Sequence, residues 1–189
     1  MSKKTIGFAM CGSFCTFSRA IEQLRRLSDK YDIIPIMSEN ASSTDTRFGA
    51  SGDIIRIIEE IAGKKIICTV KDAEPMGPKK LCDLIVVAPC TGNTLAKLAN
   101  GITDTAVTMA VKSHLRILRP VLLCPATNDG LGATAQNIGR LMNTKNIYFV
   151  PMSQDDYVNK PNSLVAHFEQ LPECVNQALK GVQPQPVFG

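Results

Sequence analysis

The residues best equipped for chemistry in this chain are small and neutral, and they cluster where apolar runs end. Pro89-Cys90-Thr91-Gly92-Asn93-Thr94 follows the apolar run 84–88. Backbone N–H groups together with Thr91, Asn93 and Thr94 can hold the edge of a flat heterocycle through donors and acceptors. The same residues can equally be an ordinary helix start, with Asn93 or Thr94 as the cap of a helix beginning near Leu95. Gly12-Ser13 ends the run 6–11. The Gly admits close backbone approach, the Ser donates a hydrogen bond, and the helix that follows attracts an anion to its N-terminus. A plain tight turn satisfies that segment as well, since neither G-x-G-x-x-G nor G-K-[ST] is present. Ser38-Glu39-Asn40 and Pro125-Ala126-Thr127-Asn128-Asp129 close two further runs, and none of the four ends carries Lys or Arg.

Reactive side chains are scarcer. Cys90 stands at a run end, but no His lies in a motif that activates it as a nucleophile. His114 falls in an amphipathic stretch and reads as a surface residue. Ser51-Gly52-Asp53 opens a helix whose dipole Asp53 already complements, which favours a capped helix over a second phosphate site. Glu39 and Asp129 are the carboxylates at these ends able to act as a general base, and both fit solvated loop positions too. The seven cysteines are odd in number, irregularly spaced and without C-x-x-C, which points to free thiols in a reducing cytosol. Neither of the two histidines pairs with a Cys at ligand spacing, so no zinc site is expected.

Positioning these ends requires a regular frame. Apolar runs at 6–11, 33–37, 65–70, 84–88, 121–124 and 147–150 have strand length and lack polar alternation. Amphipathic stretches separate them: 14–28, 54–61 closed by Gly63, 94–99, a helix capped by Asp104 and running to about Leu118, and 138–142. Strands buried on both faces and alternating with helices imply a parallel sheet covered on both sides. The expected fold is α/β: a three-layer αβα, Rossmann-like arrangement on six mostly parallel strands. Ligands in such sheets bind at the carboxyl ends of the strands, where the polar segments fall. The expected domain spans residues 1–152. Residues 153–189 form a polar loop at 153–163, a short helix near 172–179 and an extended tail packed on the same domain.

Composition narrows the partners. The 189 residues carry 21 Lys+Arg against 17 Asp+Glu, a net charge of +4. The basic residues are scattered pairs, with 3 Tyr, 7 Phe and no Trp to interleave, which argues against nucleic acid. The apolar-leaning stretch after Met-Ser-Lys-Lys-Thr is only about seven residues, too short for a signal core or a membrane span.

The segment Val86-Val87-Ala88-Pro89-Cys90-Thr91-Gly92-Asn93-Thr94-Leu95-Ala96-Lys97-Leu98-Ala99-Asn100-Gly101-Ile102-Thr103-Asp104 resembles the A-P-x-S-x-N-T-x-x-K-x-A-x-G-x-x-D signature of the homo-oligomeric FMN-binding flavoproteins. That family includes phosphopantothenoylcysteine decarboxylase, lantibiotic-peptide cysteine decarboxylases and flavin prenyltransferases. Gly12-Ser13, Ser38 and Pro125-x-x-Asn128 fall in register, so the resemblance spans residues 5–152. Its fuller form covers the whole chain, through Thr127-Asn128-Asp129-Gly130-Leu131-Gly132, the stretch from Asn137 to Pro151 and Lys160-Pro161-Asn162-Ser163-Leu164-Val165-Ala166. In that form it is similar to the branch of the family formed by the B chains of dipicolinate synthases from spore-forming bacteria.

The resemblance implies FMN, with its phosphate near Gly12, Ser13 and Ser38 and its ring against Cys90, Thr91, Asn93 and Thr94. It implies that Asn128 contacts a carboxylate of a small dicarboxylate substrate, and that the chain is a homo-oligomer in the mother-cell cytoplasm. It also implies a partner, the A subunit of dipicolinate synthase, that brings NADP, for which this chain has no fingerprint. Departures separate the activities. Pro75 stands where the decarboxylases carry a His, and Thr127 replaces the Met of their P-x-M-N. Met109 and Ala126-Thr127 stand where the prenyltransferases carry Arg and Arg-Glu, leaving a prenyl phosphate without cationic partners.

Overall fold

The structure is a computed structural model describing residues 3–189. Residues 1–2, the start of the N-terminal stretch read above as too short for a signal core, lie outside the described residues. Among the described residues there are seven strands: β1 (Thr5–Met10), β2 (Asp32–Met37), β3 (Leu84–Cys90), β4 (Val121–Thr127), β5 (Ile147–Phe149), β6 (Met152–Ser153) and β7 (Leu164–Ala166). The helices are α1 (Phe17–Ser28), α2 (Glu39–Ser43), α3 (Ser51–Ala62), α4 (Val70–Ala73), α5 (Gly92–Ala99), α6 (Ala106–Leu115), α7 (Ala135–Met142) and α8 (Leu171–Ala178).

The sheet runs β2-β1-β3-β4-β7-β6, with β5 also on β4. The β1–β5 pairings are parallel, as expected of unalternated apolar strands. Every residue of β3 is buried, which fits its central position. Helix α1 packs with α3 and α8, while α6 packs with α4 and α5, and α5 with α7. The two groups cover opposite faces, so the α/β class and its three layers stand.

Several details differ from the sequence expectation. The run 65–70 is not a strand. Ile67 alone bridges Ile36, and Thr69 then accepts the Asp72 N–H and starts α4. Strong capping chemistry wins there over β-branched propensity. Pro89 and Pro125 do not end their strands. Proline lacks a donor yet keeps an extended φ, so both strands run on through it, with the pairing shifted by one residue between Val87 and Cys90, where Cys90 comes to lie opposite Pro125. The sixth and seventh strands come from the C-terminal segment, where β7 pairs antiparallel with β4 at Ala126 and Thr127. The cap of α6 is Thr105, in a reciprocal capping box with Thr108. Asp104 instead forms an ion pair with Lys97 at 2.8 Å. Gly63 closes α3 at φ +63°, the left-handed conformation that glycine adopts without a Cβ penalty.

Candidate functional site at the carboxyl edge of the sheet

Four chain segments meet beyond the carboxyl ends of β1, β3 and β4 and, with the loop carrying Arg47 and Phe48, line an open cavity of about 1180 Å³. Gly12, Ser13, Phe14 and Cys15 come from the turn after β1, and Thr91, Gly92 and Asn93 from the start of α5. Thr127, Asn128 and Asp129 come from the end of β4, and Asp155, Lys160 and Ser163 from the segment before β7. The parallel register puts these ends side by side, and β7 on β4 brings the C-terminal segment to the same edge.

Of the residues singled out from sequence, Gly12, Ser13, Thr91, Asn93 and Asn128 line this cavity. Ser38, Cys90 and Thr94 do not. Ser38 caps α2, with its hydroxyl accepting the Ala41 N–H at 3.3 Å. Cys90 is fully buried, and burial pushes its thiol well above the ordinary range, so it is no nucleophile. Thr94 is buried behind the wall, where its hydroxyl donates to the Cys11 sulphur at 3.2 Å.

The cap of α5 is Thr91, ahead of both Asn93 and Thr94: its hydroxyl accepts the Thr94 N–H at 3.2 Å. This frees Asn93, whose side chain stands exposed in the cavity wall. The turn after β1 is partly self-satisfied. Ser13 N–H donates to Cys11 C=O at 2.8 Å, and Ser13 C=O accepts from the Thr16 hydroxyl at 2.8 Å. Ser13 lines the cavity, and its hydroxyl makes only a long contact, 4.0 Å, to Cys15 Sγ.

Asp129 is the anchor of the β4 end. One carboxylate oxygen accepts from the Thr134 hydroxyl at 2.6 Å and the Thr127 hydroxyl at 2.7 Å. These bonds hold its pKa below the usual carboxylate range, the Thr134 bond contributing most. A carboxylate so engaged is a poor general base. A Cβ on Gly92 would sit 2.7 Å from Thr127 Oγ1 and 2.8 Å from Thr134 Oγ1, so glycine is what lets α5 close on this cluster. Glu39, the other candidate base, lies in the first turn of α2 and is not in the wall.

Sequence reasoning missed the cations. Arg19, Arg47 and Lys160 all line the cavity, although no strand end carries one. They arrive from α1, from the loop before α3 and from the C-terminal segment, and no local pattern links them. It also misplaced His114, which is fully buried against Cys82 Sγ, 3.8 Å from its Nδ1. Burial, aided by the Arg119 charge, pushes its pKa down to about 4. Among the described residues no His, Cys, Asp and Glu cluster could hold a metal ion, and no helix is long and apolar enough to cross a membrane.

The site is suited to an anionic, flat ligand. Neutral amides and hydroxyls supply directional donors, Arg47 supplies a cation without an acidic partner among the described residues, and Phe14, Phe48, Ala96, Ala126 and Val165 supply apolar walls. The cavity volume and the open space around Gly12, where a Cβ would meet only the Phe14 ring at 3.5 Å, leave room for a tricyclic ring with a phosphate arm.

Comparison with known proteins agrees with this architecture. Residues 1–180 match the family model described as Flavoprotein. The chain is 44% identical over 186 residues to the dipicolinate synthase B subunit of Bacillus subtilis (strain 168), covering 98% of this chain and 93% of that protein. The crystal structure of the dipicolinate synthase B subunit from Bacillus halodurans C superposes with a TM-score of 0.91 at 44% identity, covering 100% of this chain and 97% of that one. An FMN-dependent cysteine decarboxylase, SpaF, shares the fold with a TM-score of 0.68 at 21% identity, covering 94% and 96% of the two chains.

Proposed function

The chain belongs to the flavoprotein family, and on that premise we propose that it is the B subunit of a dipicolinate synthase. It acts with an A subunit that binds NADP, and it takes part in oxidising dihydrodipicolinate, or its hydroxylated precursor, to pyridine-2,6-dicarboxylate. The observation that carries the reading is a cavity wall rich in anion-holding groups whose two carboxylates, Asp129 and Asp155, are both held ionised by hydrogen-bond donors, in a chain similar over nearly its whole length to dipicolinate synthase B subunits.

The residues fit FMN. Gly12 and the Ser13 hydroxyl would hold its phosphate arm, Thr91 and Asn93 the polar edge of its ring, and a bound flavin supplies a two-electron carrier. Ser38, Cys90 and Thr94 lie outside the wall, and of these Thr94 bonds both Thr91 and Cys11 behind it. Asn128 offers its amide N–H₂ to a substrate carboxylate, a neutral donor suited to an oxyanion. Asp129 fixes the backbone on which Asn128 is carried, through the bonds from Thr127 and Thr134. The chain's part is to orient a dicarboxylate in a fixed pose.

Forming the aromatic ring from dihydrodipicolinate removes a hydride and a proton. NADP held by the A subunit would supply the hydride acceptor. The proton goes to a base of that same partner or to water, because Asp129 is already engaged. Stand-alone decarboxylation is the poorer reading. Pro75 lies in a turn beside α6, outside the cavity wall, and supplies no acid or base.

The same proposal makes the chain a homo-oligomer. The test is reconstitution with each protein alone and with both, given dihydrodipicolinate and NADP and followed by ultraviolet absorbance. Turnover only in the mixture, with a flavin spectrum on this chain, is expected. Full turnover by this chain alone overturns the division of labour, and absence of any flavin spectrum overturns the cofactor assignment.

A further inference from the structure

The loop before α3 is a built hairpin. Thr46 and Gly49 exchange backbone hydrogen bonds at 3.1 and 3.0 Å, which places Arg47 and Phe48 at a two-residue tip. Gly49 sits at φ +143°, a conformation that side-chain-bearing residues rarely adopt. Asp45 Oδ1 accepts both the N–H and the hydroxyl of Ser51, at 2.7 and 2.9 Å, and so pins the hairpin base to the start of α3. The tip projects into the mouth of the cavity.

Its two residues are unusual for an exposed turn. Phe48 is 48% exposed, a large apolar ring half in water at the mouth. The Arg47 guanidinium lies 4.9 Å from the centre of that ring. The other two cations of the wall have acidic partners: Arg19 meets Glu169 at 3.5 Å and Lys160 meets Asp155 at 3.3 Å. Among the described residues Arg47 has none, so its charge is available to a ligand. A planar guanidinium held beside an aromatic ring matches a planar ring that bears an oxyanion.

We propose that the Arg47-Phe48 tip recognises the anionic group and ring face of a planar heteroaromatic ligand in the cavity, Arg47 pairing with the oxyanion and Phe48 covering the ring. This rests on the reading of the cavity as a flavin and dicarboxylate site. The oxyanion is either the phosphate of FMN or a carboxylate of the pyridine dicarboxylate, and the two sources are separable.

The test titrates FMN, riboflavin and pyridine-2,6-dicarboxylate into the full chain and into Arg47→Ala, Arg47→Lys and Phe48→Ala. Flavin fluorescence and calorimetry are the readouts, at low and moderate salt. All variants should melt with the parent, because the tip is exposed. Arg47→Ala should weaken one of the two anions about tenfold and flatten its salt dependence, with partial recovery in Arg47→Lys. Weaker FMN with unchanged riboflavin identifies the phosphate. Weaker dicarboxylate with unchanged FMN identifies the carboxylate. Phe48→Ala should weaken whichever ligand Arg47 holds. Parent-like binding of both anions by Arg47→Ala, with parent-like salt dependence, overturns the inference and leaves the site reading intact. A parent that binds none of the three ligands overturns the site reading and the inference together.

Discussion

The Thr134 hydroxyl reaches Asp129 at 2.6 Å from the turn preceding α7, and the space beside it that a side chain on Gly92 would need is already filled. Helix α5 therefore approaches the end of β4 without a Cβ between them. Asn93 and Asn128, on either side of this contact, inherit their positions from it.

Replacing Gly92 by Ala tests the contact. The new Cβ displaces hydroxyls that are each committed to Asp129, so relief costs hydrogen bonds as well as space. The expected destabilisation is about 1–3 kcal/mol. A melting temperature equal to the parent's would show that the two segments separate freely.

Asn93→Ala should leave stability within about 0.5 kcal/mol, since the side chain is exposed. Flavin binding should weaken by roughly 1–3 kcal/mol, through a buried polar partner left unpaired in the complex. Equal flavin retention after gel filtration would remove Asn93 from the site.

His114 sets an acid limit on the fold. Its folded pKa, about 4, lies below the ordinary value of 6.5 because burial beside Cys82, with Arg119 nearby, disfavours the charged ring. The contribution is complete above about pH 6.5. It is lost as pH falls from there toward 4, where the unfolded chain binds the proton first. The shift corresponds to roughly 3 kcal/mol at most. Denaturant melts between pH 7 and 4 should show this slope in the parent, and His114→Leu should flatten it. The same slope in both proteins would assign it to other groups.

The cysteines should separate under alkylation. Cys15 is exposed in the cavity wall, whereas burial raises the Cys11 thiol to about 11 and Cys82 and Cys174 to about 12. A two-unit rise alone lowers the thiolate fraction about 100-fold. Peptide mapping after brief iodoacetamide treatment at pH 8 should find Cys15 modified first, and less so with FMN present. Modification of Cys11 or Cys90 at a comparable rate would contradict the packing.

How far the sequence carries can be read from these residues. The central strands were legible because β3 and β4 are apolar on both faces, and that arises only inside a covered parallel sheet. The ends of β1, β3 and β4 were legible for the same reason, as polar stops on long apolar runs. Cys90 at the end of β3, Thr94 shortly after it in α5, and Ser38 just after β2 are buried instead, a matter of side-chain direction that residue type does not encode. Arg19, Arg47 and Lys160 come together only through tertiary approach. His114 is covered by Cys82, from the segment just before β3, and the helical period of α6 alone does not reveal that cover.

Strand β4 is shared along its length: β5 holds residues 121–123 and β7 holds 126–127. The last two pairs are also the ones beside Asn128. Ser163, just before β7, donates to the Thr127 carbonyl at 3.3 Å, and Lys160 and Val165 face the cavity. Undocking of the C-terminal segment and emptying of the cavity are then one equilibrium seen from two sides. A ligand at 100 times its Kd adds about 2.7 kcal/mol to every opening that destroys its site. Amide exchange along residues 163–166 should slow by that margin, a change of about 100-fold in protection, while exchange at β2 driven by local fraying stays as it was. The far end of the chain thus reports occupancy of a cleft that its own docking completes.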